Sequence, residues 1–484
     1  MGDGVIGNTF GFGPNVEGSS PSLPANLMKI SGVILAAGKG TRMKSELPKV
    51  LHSVLGKPMI KYGQEAIDHL DEKYVVVGHE SDLVIKELKK DFNPILQEQQ
   101  LGTGHAVVTL LNSQAYEKDD SEYVVIIPGD APLLLKENID NLIKESTQGN
   151  VAIGIITAEV SDPAGYGRIV KNGDTIMKIV EHSDASTSEL VITEINSGMY
   201  CFEKQFLIEN IKKLNNNNEQ NEIYLTDLIE IAFQNKLDTV IVQVSEETIK
   251  GVNSMSQLNE VEKTLKEKLI ASHMENGVYF QDANSTFLDE NVVIKTGSRI
   301  MANTHLTGNT EIHENCTIGP NTMINESKIG EGSTVVFSVL DEVTIKGTAT
   351  IGPYAHLRKG STLEDGVKVG AFAETKNSNI GSGSKIPHLS YVGDAELEEG
   401  VNFSAGSITV NYDGENKHKT EIKKGAFIGS DVMLVAPVTV GEGAMIGAGS
   451  VITKDVPPKA LGIERSNQKN IDGYMDRKKS KDEK

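Results

Sequence analysis

Tryptophan is absent, and Phe and Tyr bring the aromatic share to just 5%. Large rings usually dominate cores and interfaces, so Ile, Val and Leu must do most of the packing. Cysteine is nearly absent too. Cys201 and Cys316 lie 115 positions apart and outside any Cys-x-x-Cys pattern, which excludes a disulfide framework or a cysteine zinc site and fits a reducing cytoplasm. Positive charge is scarce: 47 Lys and Arg stand against 67 Asp and Glu, a formal net charge of -20. That sign excludes bulk attraction to nucleic acid or anionic membrane, so any anionic ligand must be met by local positive charge. No apolar run approaches the roughly 20 residues that span a bilayer. The start, Met1-Gly2-Asp3, lacks the basic segment of a secretory signal. Residues 1–27, rich in Gly, Ser, Pro and Asn, read as a tag or disordered extension ahead of a more natural start at Met28.

What is present divides into two grammars. The 484 residues allow roughly three domains, or two of which one is large. From Met28 to about Val244, short aliphatic runs (Ile30 to Leu35, Tyr74 to Val77, Tyr123 to Ile127, Val151 to Ile156, Val240 to Val244) alternate with helix-length segments. Such alternation predicts an α/β domain with a largely parallel sheet. Residues 256–274 place apolar groups at 258, 261, 265 and 269, an amphipathic linker helix expected to be capped by Ser256.

Beyond that helix the period becomes six, which is neither 3.6 nor 2. Ile294, Ile300, Leu306, Ile312, Ile318 and Ile324 form one unbroken run. Ile345, Ile351, Leu357, Leu363 and Val369 form a second, and Ile422, Ile428, Leu434, Val440, Ile446 and Ile452 a third. A hexad supplies one short strand and one tight corner, so three hexads close a triangular coil and stacked coils make a parallel β-helix. Residues 292–456 at about eighteen per coil predict roughly nine coils and a prism on the order of 40 Å long. The six-fold rule breaks at 325–344, 370–400 and 410–421, and these breaks are the expected places for chemistry.

Local positive charge appears at once in the first domain. Residues 29–57 carry six Lys or Arg (29, 39, 42, 44, 49 and 57) against the single acid Glu46, a net +5. Within them, Ala36-Ala37-Gly38-Lys39-Gly40-Thr41-Arg42 follows a strand, and small residues there let backbone N–H groups and cations approach phosphate. The pattern is neither a Walker A loop nor the Rossmann fingerprint.

Leu35 to Met43 with Pro48-Lys49 resembles the signature of sugar-1-phosphate nucleotidyltransferases. Gln97, Leu101-Gly102-Thr103-Gly104, Gly129-Asp130, Gly165 to Ile169, Val180-Glu181-His182, Glu194 to Gly198 and Gly251-Val252-Asn253 follow in the order of one branch. That branch, continued by a hexapeptide β-helix, is the bacterial bifunctional N-acetylglucosamine-1-phosphate uridyltransferases and glucosamine-1-phosphate N-acetyltransferases. The resemblance covers residues 28 to about 470. It implies a Rossmann-like α/β nucleotidyltransferase domain (28–253), a linker helix (254–276), a left-handed parallel β-helix of hexapeptide repeats (277–470) and a charged tail (471–484).

The resemblance also implies roles. Leu35, Ala36, Ala37, Gly38, Lys49, Gln97, Gly102 and Thr103 would hold the uridine nucleotide, and Gly167, Glu181 and Asn196 the N-acetylhexosamine. Asp130 and Asn253 would bind Mg2+, while Arg42 and Lys49 balance charge during uridylyl transfer from UTP. In the β-helix, His388 would be the general base for acetyl transfer from acetyl-CoA, with Glu374 as its orienter. Arg358, Lys376, Tyr391, Asn402, Asn411, Tyr412 and Lys417 would bind glucosamine 1-phosphate, Asn411 facing its amine. Ala405, Ser430, Ala448 and Arg465 would line the acetyl-CoA site, and the assembly would be a homotrimer. Two other readings stay open: a single-activity nucleotidyltransferase with a structural or regulatory β-helix, and a non-enzymatic repeat scaffold. Intact Lys49, Asp130 and Asn253 argue against the scaffold; His388 and Asn411-Tyr412 argue against a passive β-helix. Pro128, before Gly129-Asp130, stands where some relatives carry an aromatic.

Overall fold

The computed structural model describes residues 28–38, 40–78 and 80–482; the extension 1–27 and Lys39 lie outside the described residues. The N-terminal half is a sheet that runs, across its width, Asp238–Gln243, Val151–Glu159, Glu194–Glu203, Tyr123–Pro128, Ile30–Ala36, Glu72–Val77 and Asn93–Leu96. Its central strand, Ile30–Ala36, pairs in parallel with both neighbours, and Val33, Ile34, Val75 and Ile126 are fully buried between the helical layers. The sheet is largely parallel, as the alternating pattern requires. The exceptions are Glu194–Glu203, antiparallel to both neighbours with a register shift between Asn196 and Tyr200, and the antiparallel pair Arg168–Asn172 and Thr175–Val180 attached to it. Gly198, within that shift, adopts φ 77, a value that favours a residue without Cβ.

This topology brings the loops after Ala36, Leu96 and Pro128 to one edge. Gly129 N–H donates to Leu35 C=O at 2.9 Å and Gln97 N–H to Val77 C=O at 2.8 Å. Ligands of open α/β sheets bind at the carboxyl ends of strands, and every predicted nucleotide residue lies along that edge.

The linker is a helix over Met255–Glu275, and its cap is Ser254 rather than Ser256. The Ser254 hydroxyl accepts from Gln257 N–H at 3.3 Å, because the first turn begins one residue before the serine that periodicity suggested. Val261 packs with Met43, Val54, Leu55, Met59, Tyr62, Leu133 and Val252 in the first half, whereas Ile270 joins the β-helix core. The junction is further fastened by a hairpin turn at Leu55-Gly56. Glu290 N–H donates to Leu55 C=O at 3.0 Å, and Lys57 lies 2.5 Å from Glu290 and 2.6 Å from Glu65.

From Tyr279 to Gly462 the chain winds into three parallel walls of eleven, ten and nine strands. Inward side chains stack coil on coil, as in Ile300 on Ile318 on Val335. Every aliphatic of the three six-spaced runs is at most 6% exposed. The prism begins earlier than residue 292, where the hexads become legible. Two of the expected breaks are not interruptions. Between Ile324 and Ile345 the inward series continues through Ile329, Val335 and Leu340, and after Val369 through Thr375, Ile380, Ile386, Val392, Leu397 and Phe403, all buried. Some steps are five residues because a corner has lost one residue, which leaves the inward position intact. The third break is real: between the buried Thr409 and Ile422 the chain leaves the wall as a polar excursion. Past the prism, Tyr474–Asp482 of the charged tail forms a short helix.

Candidate active sites

In the N-terminal half, a cleft of about 430 Å³ is lined by Leu35, Ala37, Gly38, Lys49, Gln97, Gly102, Thr103 and Asp130, among others. Gln97 is buried, and its amide donates to Gly102 C=O at 3.4 Å and meets His105 Nδ1 at 2.8 Å. Gly102 turns with φ 105, and a Cβ there would sit 2.6 Å from Ile223 C=O, so glycine is required. Thr103 opens the helix Thr103–Leu111, and its hydroxyl accepts from Leu225 N–H at 3.1 Å.

At the mouth of this cleft four polar groups converge. Lys49 Nζ is hydrogen-bonded to Asp130 and donates to Asn253 Oδ1 at 3.0 Å. Arg42 donates to the same Asn253 oxygen at 2.9 Å. The cluster is buttressed from behind by apolar neighbours of its own members, Met43 beside Arg42 and Val252 beside Asn253. Val252 N–H also donates to Asp130 C=O at 2.9 Å.

The residues expected to hold the sugar assemble on the adjoining strands. Asn196 N–H donates to Gly167 C=O at 2.9 Å, and the Asn196 side chain accepts from Tyr200 OH at 2.9 Å. A Cβ on Gly167 would lie 3.5 Å from Glu181 Oε1. Burial holds the Glu181 carboxyl above its ordinary value, opposed by the Thr226 hydroxyl and reinforced by Asp184 and Asp227. Asp227 is pushed up to about 6 by burial, then by Glu230 and Asp184.

Sequence reasoning missed several groups here. Gln100, Gly198 and Glu222 also line the cleft, and the buried Arg168 braces the loop before its strand, bonded to Tyr166 C=O and 3.3 Å from His182 Nδ1. Arg168 lay inside a quoted motif, and a lone arginine in an aliphatic strand was the available signal.

In the β-helix, the predicted residues fall on the edges and face of the ten-stranded wall. Arg358 and Lys376 are neighbours on consecutive strands. Lys417 reaches back from the excursion; its hydrogen bond and charge, with the charge of Arg358, hold Lys376 below the ordinary lysine value. Three cations are thus crowded together at this edge. Asn411 opens the excursion with its amide on Asp394. Tyr412 is exposed and its hydroxyl bonds to Gly414 C=O. Tyr391 lies on the strand between the two edges.

His388 is exposed at the opposite edge, and above it the chain stacks corner on corner. Gly406 N–H donates to His388 C=O at 3.3 Å, Asp431 N–H to Ala405 C=O at 2.9 Å, and Gly449 N–H to Ser430 C=O at 2.8 Å. Arg465 then donates to Ala448 C=O at 3.0 Å. The expected acetyl-CoA residues therefore form one row in register with His388. Two expectations fail within one chain. Glu374 is bound to Arg358 at 2.8 Å rather than to the histidine, because the cation stands diagonally below it on the same wall, two positions along from His356, its register partner. Asn402 lies on the eleven-stranded wall beside Lys385, with its amide on Ser404 at 2.9 Å, away from the cation cluster.

Among the described residues no group of three or more His, Cys, Asp or Glu forms a ready metal cage, and no helix is long and apolar enough to cross a membrane.

Family comparisons agree with this division. Residues 31–248 match the nucleotidyl transferase family, and residues 291–326 and 419–454 match the bacterial transferase hexapeptide family. The prism is accordingly a left-handed parallel β-helix. The bifunctional protein GlmU of Desulfitobacterium hafniense is 42% identical over 93% of this chain and 99% of its own. That of Geobacillus sp. (strain WCH70) is 45% identical over 93% and 98%, and that of Halalkalibacterium halodurans 44% over 92% and 98%. Because these relatives are matched through both halves and are named bifunctional, the single-activity and scaffold readings fall away, and the chain belongs to the bifunctional GlmU family of transferases.

Proposed function

We propose that this enzyme acetylates glucosamine 1-phosphate with acetyl-CoA at the β-helix and then joins the N-acetylglucosamine 1-phosphate to UMP from UTP in the N-terminal cleft. The observation that carries the reading is that one chain holds both a phosphate-sized cluster of Arg42, Lys49, Asp130 and Asn253 and a separate row of corners rising from His388.

For uridylyl transfer, an oxygen of the sugar phosphate attacks the α-phosphorus and the bond to pyrophosphate breaks. Such chemistry needs positioning and charge neutralisation rather than a protein nucleophile. Lys49 and Arg42 bind and balance the phosphates. Magnesium fits the donors present: Asp130 and Asn253 direct two oxygens at one cation, Lys49, so hard oxygen donors already converge on a positive charge. Magnesium takes few protein oxygens and keeps waters and phosphates as its other ligands. When bound, it supplies charge neutralisation at the triphosphate.

For acetyl transfer, the amine attacks the thioester carbonyl, the C–N bond forms, the C–S bond breaks and CoA leaves as its thiol. His388 takes the amine proton, and Arg358, Lys376 and Lys417 hold the sugar phosphate. His388 and the cations stand at opposite edges of an open wall, and a water-exposed face is a poor acyl-transfer site. A homotrimer closes it by laying a second copy against the wall. Supporting this, Phe337, Tyr354 and Phe372 form an exposed apolar ladder on the His388 edge, Tyr354 stacked on Phe372 and tilted against Phe337. The two buried, unpaired cysteines accord with a cytoplasmic enzyme.

The test is product analysis after mixing the protein with acetyl-CoA, glucosamine 1-phosphate, UTP and magnesium. UDP-N-acetylglucosamine and pyrophosphate are expected; absence of the former refutes the reading.

A further inference from the structure

The corner after Tyr391–Gly393 carries a carboxylate that none of the assigned roles uses. Asp394 adopts φ 47, as does Asn377 one coil below it. One Asp394 oxygen, Oδ1, accepts from Asn377 Nδ2 at 2.6 Å, which continues a side-chain ladder along this edge like the Asn325–Asp341 pair at 2.8 Å. The next rung is Asn411, level with Asp394 one coil above and the point where the chain leaves the wall. The second oxygen, Oδ2, accepts from Asn411 Nδ2.

An ionised carboxylate has no proton to donate. Asn411 can therefore present only its NH2 to Asp394, and this fixes which end of the amide is which. Asn411 is 9% exposed, its backbone C=O accepts from His418 N–H at 2.8 Å, and among the described residues its Oδ1 has no protein partner. A side chain this buried, with its acceptor left free at the start of the excursion that carries Lys417, faces a hydrogen-bond donor that the protein does not supply.

We propose that Asp394 is a positioning residue for acetyl transfer: it locks the Asn411 amide with its oxygen outward, so that Oδ1 accepts an N–H of the glucosamine amine and turns the nitrogen lone pair toward the thioester. This rests on the reading of Asn411 as the residue facing that amine. With the lock removed, the amide samples both orientations, and in the wrong one its NH2 opposes the substrate amine.

The experiment measures both activities of the full-length chain in four variants. Asp394→Asn is expected to lower kcat for acetylation about tenfold, the value of one lost hydrogen bond, with uridylyl transfer unchanged. KM for glucosamine 1-phosphate should not rise, because removing a negative charge beside Lys376 favours phosphate binding. Asn411→Asp sets two carboxylates against each other and should lose at least as much. The double variant Asp394→Asn/Asn411→Asp restores an NH2-to-carboxylate pair with an acceptor outward, and should recover to within about fivefold of the parent. Asn411→Ala separates the two failures. If it leaves acetylation intact, the reading of Asn411 is wrong. If it abolishes acetylation while Asp394→Asn is silent, or the double variant shows the product of the single losses, the positioning role is overturned. Equal loss of both activities in Asp394→Asn would reduce Asp394 to a structural rung.

Discussion

In the N-terminal half, Lys49 and Asn253 come from positions 204 apart and meet in one cleft backed by its own small core; in the C-terminal half, His388 and Asp394 are six positions apart yet stand at opposite edges of a wall. A sheet with helical crossovers folds distant segments onto one edge, so a single chain completes the site. A β-helix projects consecutive residues outward along a nearly flat face. Its coils give register and repetition, but concavity has to come from an excursion such as 411–419 or from another copy of the chain. The same chain therefore holds one site that is pre-formed and one that is laid out.

The largest test of this contrast is His388→Ala. Loss of a general base costs typically 10²- to 10⁴-fold, so acetylation should fall on that scale, while uridylyl transfer assayed on the same preparation stays within twofold. Persisting acetylation would remove the base assignment. Next, Asp130→Ala should reverse the pattern, with uridylyl transfer down on the order of 10²-fold and acetylation preserved. Its loss cannot be confined to one ligand, since it also strips Lys49 of its carboxylate partner. Equal loss of both activities would mean that the two halves are not independent.

A milder pair separates shape from chemistry within the cleft. Gly102→Ala forces a side chain onto φ 105 and against Ile223 C=O, a strain of about 1–3 kcal/mol, and should lower both Tm and kcat/KM for UTP. In Gly38→Ala the added methyl meets nothing within 4 Å. Stability should be unchanged and KM for UTP raised, because the space filled belongs to substrate. If Gly38→Ala is silent in both measurements, the triphosphate does not approach that loop.

The two halves also differed in how much the sequence disclosed. The inward aliphatics were legible because each hexad repeats one physical requirement, burial at a fixed position. The five-residue steps at Ile329, Leu340, Ile345, Ile380 and Leu397 were not, because a shortened corner shifts the count without changing what faces inward. In the sheet, Glu194–Glu203 escaped notice since its bulge at Asn196 to Tyr200 destroys the alternation. Composition located a basic loop, but nothing in spacing could show that Lys49, Asp130 and Asn253 meet; that came from family motifs. Asp394 escaped for the opposite reason. It stood two residues past Val392, in plain view, and its use became visible only when Asn411 was found bonded to it.

The smallest expected effect concerns pH, and it separates the halves again. Among the described residues, carboxyls raised by burial occur in the N-terminal half, as at Glu181, Glu222 and Asp227, and none occurs in the β-helix. Asp227 keeps its proton up to about 6 in the folded chain against 3.8 for the model carboxyl. Between those values the folded state binds more protons than the unfolded, so its contribution makes stability fall as pH rises through that window and level off above it. Asp227 is only half-buried, so solvent screening reduces the change to about 1 kcal/mol. Asp227→Asn also gives up a favourable charge at the first turn of its helix, which offsets part of the gain at neutral pH. The diagnostic is therefore the slope. Calorimetric midpoints of Asp227→Asn and the parent, compared from pH 4 to pH 7, should diverge in favour of the variant as pH rises, and a constant difference would show that Asp227 ionises in the fold as it does in the open chain.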